Sequence, residues 1–285
     1  MPLPTTVHMI AISNYLRYHS TGESHGEAAR EYAVVCQGCL DAGAATMTVA
    51  LELDGRVLVR SGRAADEIDT RDLALLEPAE MARYSTFRDN VRGARYAAAH
   101  AAVRRLFGEL LDCAAGEIRF GRHACPGCGA PGHGRPFIRR PRTSWELSLS
   151  RSGPYWLCTA ADGMRIGADI EVLRPVRVGR LTDAVLTRSE RSFLAGLPTE
   201  RLQTEFLRCW TRKEAVTKAS GIGIEAALGR LEVRPAQRRA LVRHSVSGCP
   251  TDTWVVQDLP AGPDHRSAVA FSAESAIPGP AAQVA

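Results

Sequence analysis

Ile166-Gly-Ala-Asp-Ile-Glu-Val172 is an apolar stretch that carries two carboxylates two residues apart. Met164 and Leu173 extend its apolar character at either end. Side chains alternate faces along a strand, so a strand here sends Ile166, Ala168, Ile170 and Val172 into a core and sets Gly167, Asp169 and Glu171 on the opposite face. Two carboxylates on one face within ~7 Å repel each other unless a positive group sits between them. A divalent cation with oxygen ligands meets that need, and Mg²⁺ keeps part of its water shell while sharing the rest with substrate phosphates. A solvated strand face with two acids is the plainer alternative. Gly167, on the acidic face, leaves room for a ligand backbone.

Working outward, strand and helix patterns alternate twice. Upstream, residues 47–60 hold two β-type runs around Asp54-Gly55, a hairpin signal. Residues 78–111 read as an Arg-rich helix with Pro78 early and Gly93 as its interruption. A Gly/Pro/Cys loop at 125–136 precedes strands at 145–150 and 155–160. Downstream, Thr187-Arg-Ser-Glu190 is a capping box, and residues 204–221 form a longer helix that stops at Gly221. Short strands are expected at 230–234, 252–257 and 266–272. This order predicts an α+β protein of two similar lobes, 46–163 and 164–274. An N-terminal extension of undefined order, 1–45, precedes them, and a flexible Ala/Pro/Gly-rich tail, 275–285, follows.

Composition narrows the function classes. The 285 residues are 45% hydrophobic and 24% charged, enough to bury a core. The net charge of +5 suits an anionic small molecule or an acidic protein surface and falls short of a nucleic-acid patch. No apolar run is long enough for a membrane span, and the first residues lack the pattern of a signal peptide, so a cytoplasmic location is expected. Its eight cysteines are then expected to be reduced thiols.

Glu214 and Lys218 are four residues apart in the predicted 204–221 helix and share a face, with Trp210 one turn earlier. They are either a solvent-facing ion pair or a third metal-binding carboxylate with a cation for a phosphate. Spacing leaves both readings open. The combination of motifs is more specific. I-G-A-D-I-E at 166–171 followed by W-T-R-K-E-A-V-T-K at 210–218 resembles the signature pair of the Sfp-type 4′-phosphopantetheinyl transferases, (I/V)-G-(I/V)-D-(I/V)-E and W-x-x-K-E-A-x-x-K. Ala168 is the departure in the first part. Trp210 and Ala215 match the branch that serves polyketide and non-ribosomal peptide carriers broadly. G-R-P at 134–136 matches the family's G-(K/R)-P, and S-L-S-R-S-G at 148–153 resembles N-(I/L)-S-H-S-G, with Ser148 for Asn and Arg151 for His. Residues 76–87 and 95–104 look like the family's first-lobe helix, and the similarity runs over residues 70–272.

The resemblance implies two α+β lobes with pseudo-two-fold symmetry and coenzyme A in the cleft between them. It implies Mg²⁺-dependent transfer of the 4′-phosphopantetheine arm to a serine of an acyl or peptidyl carrier protein, in polyketide, non-ribosomal peptide or fatty acid synthesis, with release of 3′,5′-ADP. By the same resemblance Asp169, Glu171 and Glu214 hold Mg²⁺, with Mn²⁺ as a substitute. Glu214 takes the serine proton and Lys218 serves the departing phosphate. Lys213 supports the pyrophosphate, Arg83, Arg95, Ser150 and Arg151 match positions near the 3′-phosphate, and Arg135 and Pro136 match the adenine side. Glu80 is acidic where some relatives are basic. The family's broad-specificity branch is often monomeric, and a monomer that binds neither nucleic acid nor membrane is expected.

Cys125 and Cys128, with His133 after them and His123 before, are metal-ligand types at zinc-like spacing. A fourth ligand is not secured, neither in His123 nor in the distant Cys36/Cys39 pair, so a plain turn leading into G-R-P is favoured over a structural zinc site. Two rival functions follow from other features. A zinc-stabilised nucleic-acid-binding module would use both CxxC pairs and the arginines, and would show strongly salt-sensitive binding. A coenzyme A-binding relative without catalysis would keep the fold, but the intact acids and Lys218 speak against it.

Overall fold

The computed structural model describes residues 34–35, 49–53, 56–175, 178–223, 226–245, 251–260 and 262–273. The extension and tail expected at 1–45 and 275–285 lie outside these apart from a two-residue strand, as does the turn at Asp54-Gly55. Seven strands form the first sheet: β1 (Val34–Val35), β2 (Val49–Leu53), β3 (Val57–Arg63), β4 (Arg119–Arg122), β5 (Pro136–Arg140), β6 (Trp145–Ser152) and β7 (Tyr155–Asp162). Their spatial order is β1-β2-β3-β7-β6-β5-β4, and every pairing is antiparallel. Between β3 and β4 run three helices, α1 (Thr70–Leu73), α2 (Pro78–Tyr84) and α3 (Asn90–Leu110).

The second sheet is smaller. It contains β8 (Ile166–Val172), β9 (Arg239–His244), β10 (Asp252–Asp258) and β11 (His265–Ser272), in the order β8-β11-β10-β9. Helices α4 (Val178–Val185), α5 (Arg188–Ala195) and α6 (Thr199–Ser220) separate β8 from β9. The two lobes share one topology. In each, a strand leads into helices ending in a long one, then into an antiparallel run whose last strand returns beside the first: β3 and β7 in one, β8 and β11 in the other.

The strand alternation explains the layers. Val57, Val59, Leu157 and Ala161 of the first sheet meet Ile166, Ala168, Ile170, Val269 and Phe271 of the second in one core between the sheets. The opposite faces carry the helices. Trp156, Cys158 and Ala160 pack with Ala99, Val103 and Phe107 of α3. Trp254, Val256, Ala268 and Ala270 pack with Cys209, Ala215, Val216 and Ala219 of α6. The layers therefore run helix, sheet, sheet, helix, and among the described residues no helix is long and apolar enough to cross a membrane.

Gly167 has a different use from the one its sequence suggested. Its face of β8 is filled by α6: a Cβ there would lie 2.1 Å from the Ala215 carbonyl oxygen and 2.4 Å from the Ala219 nitrogen. The missing side chain admits helix backbone, and this close approach carries Glu214 and Lys218 down onto Asp169. Gly167→Ala is expected to destabilise the fold by about 3 kcal/mol, since backbone atoms cannot move aside as side chains do. Urea denaturation measures it.

Two other expectations are corrected. The helix over 78–111 is broken at residues 85–89: Ser85 Oγ donates back to the Met81 carbonyl, and Asp89 starts α3 afresh by accepting from the Val91 and Arg92 amides. The strand expected at 230–234 is irregular, because its backbone groups are taken by side chains. Lys213 Nζ donates to the Leu228 and Leu231 carbonyls, Arg212 Nη1 to those of Val233 and Arg234, and the Val233 amide donates to Glu190. The strand in this part of the chain is β9, which was not anticipated.

Candidate active site

Three serines in alternation set the site. Ser148, Ser150 and Ser152 on β6 point at the free edge of β8. Their hydroxyls accept from the Ala168, Ile170 and Val172 amides at 3.0, 3.3 and 3.1 Å. The hydroxyl hydrogens remain to be given. Ser150 Oγ donates to Asp169 Oδ1 at 2.8 Å, and Ser152 Oγ donates to Glu171 Oε2. The S-L-S-R-S motif is therefore a positioning device for both carboxylates. Of the three, Ser150 was singled out from sequence, while the roles of Ser148 and Ser152 were missed, although the period of two displays them.

Lys218 Nζ adds bonds to Asp169 Oδ1 at 2.6 Å, Ser150 Oγ at 2.9 Å and the Ala168 carbonyl at 3.2 Å. Glu214, one turn earlier on α6, is 7% exposed, and Asp169 is 3% exposed. Burial, then the neighbouring Asp169 charge, pushes the Glu214 carboxyl up, and burial does the same to Glu171 against the opposing Ser152 bond. Two buried oxygens, Asp169 Oδ2 and Glu214 Oε1, have no hydrogen-bond partner among the described residues. Three carboxylates thus face one ammonium, and two of their buried oxygens are unsatisfied, which is the deficit a divalent oxygen-liking cation fills. The acids do not all converge within 4.8 Å. Among the described residues the group of three that does is Cys125, Cys128 and His133.

Beside the acids lies a cleft of about 640 Å³. Lys218, Ser148, Arg135, Pro136 and Arg151 line it, with Tyr96 and His100 of α3 on the far wall. Arg151 stands 4.7 Å over the Tyr96 ring, and among the described residues no carboxylate pairs with it. Arg135 is tied to Glu146 at 2.7 Å. Tyr96 and His100 were not singled out from sequence; nothing in an Ala-rich helix marks which residues face a cleft.

Other predicted contacts stand apart from the cleft lining. Arg83 lies over the Phe87 ring, exposed, and Arg95 pairs with Asp66 at 2.7 Å. Lys213 is displaced outright. It is fully buried and pairs with Glu190 at 2.7 Å, which itself is fully buried. A helix turns about 100° per residue, so the neighbour of Glu214 points toward α5 and the 228–233 segment, away from β8.

Glu80 belongs to the cleft wall. Burial opposes its charge, yet bonds from His100 Nδ1 at 2.7 Å, the Glu77 amide and Arg104 hold its carboxyl down to about 2. A depressed carboxyl stabilises the fold above its unfolded value, near 4.5, and that contribution is lost as pH falls through about 2. We expect Glu80→Gln to remove on the order of 3 kcal/mol of stability at neutral pH and progressively less below pH 4.5. Denaturation of both proteins across that acid range tests the sign.

A model of the 4′-phosphopantetheinyl transferase superfamily matches residues 165–270. The chain is 31% identical over 171 residues to the 4′-phosphopantetheinyl transferase HetI of a Nostoc species, covering 59% of this chain and 68% of that protein. It is 27% identical over 195 residues to a putative 4′-phosphopantetheinyl transferase of a Synechocystis species, covering 68% and 76%. It is also 32% identical over 103 residues to the 4′-phosphopantetheinyl transferase psf-1 of Bacillus pumilus, covering 36% and 43%.

Proposed function

Because the chain belongs to the 4′-phosphopantetheinyl transferase superfamily, we propose that its cleft binds coenzyme A and that it transfers the 4′-phosphopantetheine arm to a serine hydroxyl of an acyl or peptidyl carrier protein. The observation that carries this reading is the cluster of buried Asp169 and Glu214 with half-buried Lys218 at the cleft, with two unsatisfied carboxylate oxygens. Asp169, Glu171 and Glu214 are the residues to hold Mg²⁺ there. When bound, such an ion neutralises the pyrophosphate and polarises its oxygens.

The chain's own groups supply the rest. The carrier serine oxygen forms a bond to the pantetheine-side phosphorus, and the bond from that phosphorus to the bridging oxygen breaks. The Glu214 carboxylate, made more basic by burial, takes the serine proton. Lys218 Nζ faces the departing phosphate of 3′,5′-ADP, and Ser150 and Asp169 hold that ammonium in place. Arg151, free of carboxylates over Tyr96, offers a guanidinium to a phosphate of the nucleotide. The Trp210 and Ala215 signature favours the broad-specificity, Sfp-type branch. The test is the intact mass of an apo carrier protein after incubation with this protein, coenzyme A and Mg²⁺. The mass should rise by one phosphopantetheine, and neither EDTA-treated protein nor Asp169→Ala should produce the gain. No gain together with no binding of coenzyme A overturns the reading.

A further inference from the structure

The loop between β4 and β5 holds a second constellation that the transfer reaction does not use. Cys125, Cys128 and His133 present ligand atoms that all lie within 4.8 Å of one another, with Cys128 Sγ 3.2 Å from His133 Nε2. A tetrahedral zinc with bonds of about 2.3 Å to sulfur and 2.0 Å to nitrogen sets its sulfur and nitrogen ligands about 3.5 Å apart. The loop backbone is wound to suit. Gly129 N donates to the Cys125 carbonyl at 2.8 Å, and Cys125 N donates to the Ala130 carbonyl at 3.0 Å. Gly129 and Gly132 take φ of +72° and +96°, values that side chains strain to reach. The turn thus brings together two soft sulfurs and an imidazole, the ligand set that selects zinc over magnesium or calcium. Cys125 is 1% exposed, while Cys128 and His133 are exposed.

We propose that Cys125, Cys128 and His133 bind one Zn²⁺, with a fourth position open to solvent. The loop so fixed is also a joint between the lobes. A Cβ on Gly221, the left-handed residue that ends α6, would lie 3.1 Å from Arg135 Cγ and 3.4 Å from Pro126 Cδ. A Cβ on Gly127 would lie 3.2 Å from Ile222 Cγ1. The knuckle therefore sits on the end of the helix that bears Glu214 and Lys218, and its Gly132, His133, Gly134 and Arg135 form cleft wall. The ion clips this wall in place from the first lobe.

The test uses the full chain without a histidine tag, purified in reductant. Elemental analysis should find one zinc per chain. Replacement by Co²⁺ should give the visible bands of a tetrahedral site together with thiolate-to-cobalt charge transfer. Both signals should vanish in the Cys125→Ser/Cys128→Ser double variant and persist in Cys36→Ser/Cys39→Ser. His133→Asn, which spares the sulfurs and so guards against a misfolded double variant, should weaken Co²⁺ binding at least several-fold. Removing zinc with a selective chelator should speed proteolysis within 125–134 several-fold. Zinc-free protein that takes up no cobalt overturns the proposal. So does a Cys125–Cys128 disulfide in the reduced preparation, or metal that follows Cys36 and Cys39 instead. None of these readouts depends on transfer of phosphopantetheine.

Discussion

Glu214→Gln is expected to slow carrier modification by about 10²–10⁴-fold, the range over which a positioned base contributes, while leaving the protein at least as stable. The substitution keeps the volume of the side chain and removes its charge. Glu214 is 7% exposed, its Oε1 has no partner among the described residues, and burial with the Asp169 charge raises its carboxyl. An acid raised in the folded state is harder to ionise there than in the unfolded chain, so its charge opposes folding at neutral pH. Losing that charge removes the base, and one of the three carboxylates proposed for Mg²⁺, without removing a support of the fold. Single-turnover transfer and the thermal midpoint, measured on the same preparation, separate the two effects. A retained rate denies Glu214 its role as base. A lost rate with a much lower midpoint assigns the defect to folding.

Lys213→Met should do the reverse. It is expected to destabilise the fold by about 3–5 kcal/mol, the usual result of removing one partner from a buried ion pair, with KM for coenzyme A unchanged in the protein that remains folded. Methionine fills the space but leaves Glu190 charged and fully buried and strands the Leu228 and Leu231 carbonyls. Denaturant unfolding gives the first quantity and initial-rate kinetics the second. A raised KM with unchanged stability would return Lys213 to the pyrophosphate, where the resemblance put it.

These two neighbours on one helix show where a sequence stops being readable. The faces of β8, the capping box at Thr187 and Glu190, and the end of α6 at Gly221 depend on residues within a few positions, and all were legible. The pairing of Glu214 and Lys218 on one face was equally local, and the motif turned it toward β8. Lys213 carried the same motif signal, yet its direction depends on Glu190 and on carbonyls beyond Leu228, which a linear pattern does not display. The irregular 230–234 segment has the same cause: its alternation suits a strand, but side chains from α5 and α6 reach its backbone first. β9 escaped notice because Ala240 and Val242 are its only fully buried residues, and Leu241 between them is 57% exposed. The break at Ser85–Asp89 was readable, since Asp89 is a good cap, and the Arg-rich helical pattern on both sides obscured it.

The serine ladder on β6 bears on solubility as well as on the acids. β8 is the last strand of its sheet, and a terminal strand ordinarily leaves a row of amides on which a stray strand can grow. Here hydroxyls occupy that row at every second residue, so the two sheets abut without merging and the smaller one has no sticky rim at β8. A chain with alanine at 148, 150 and 152 would keep its apolar layers but offer β8 as a template. Clumping, and not only a loss of chemistry, is the mark by which such a variant would be known.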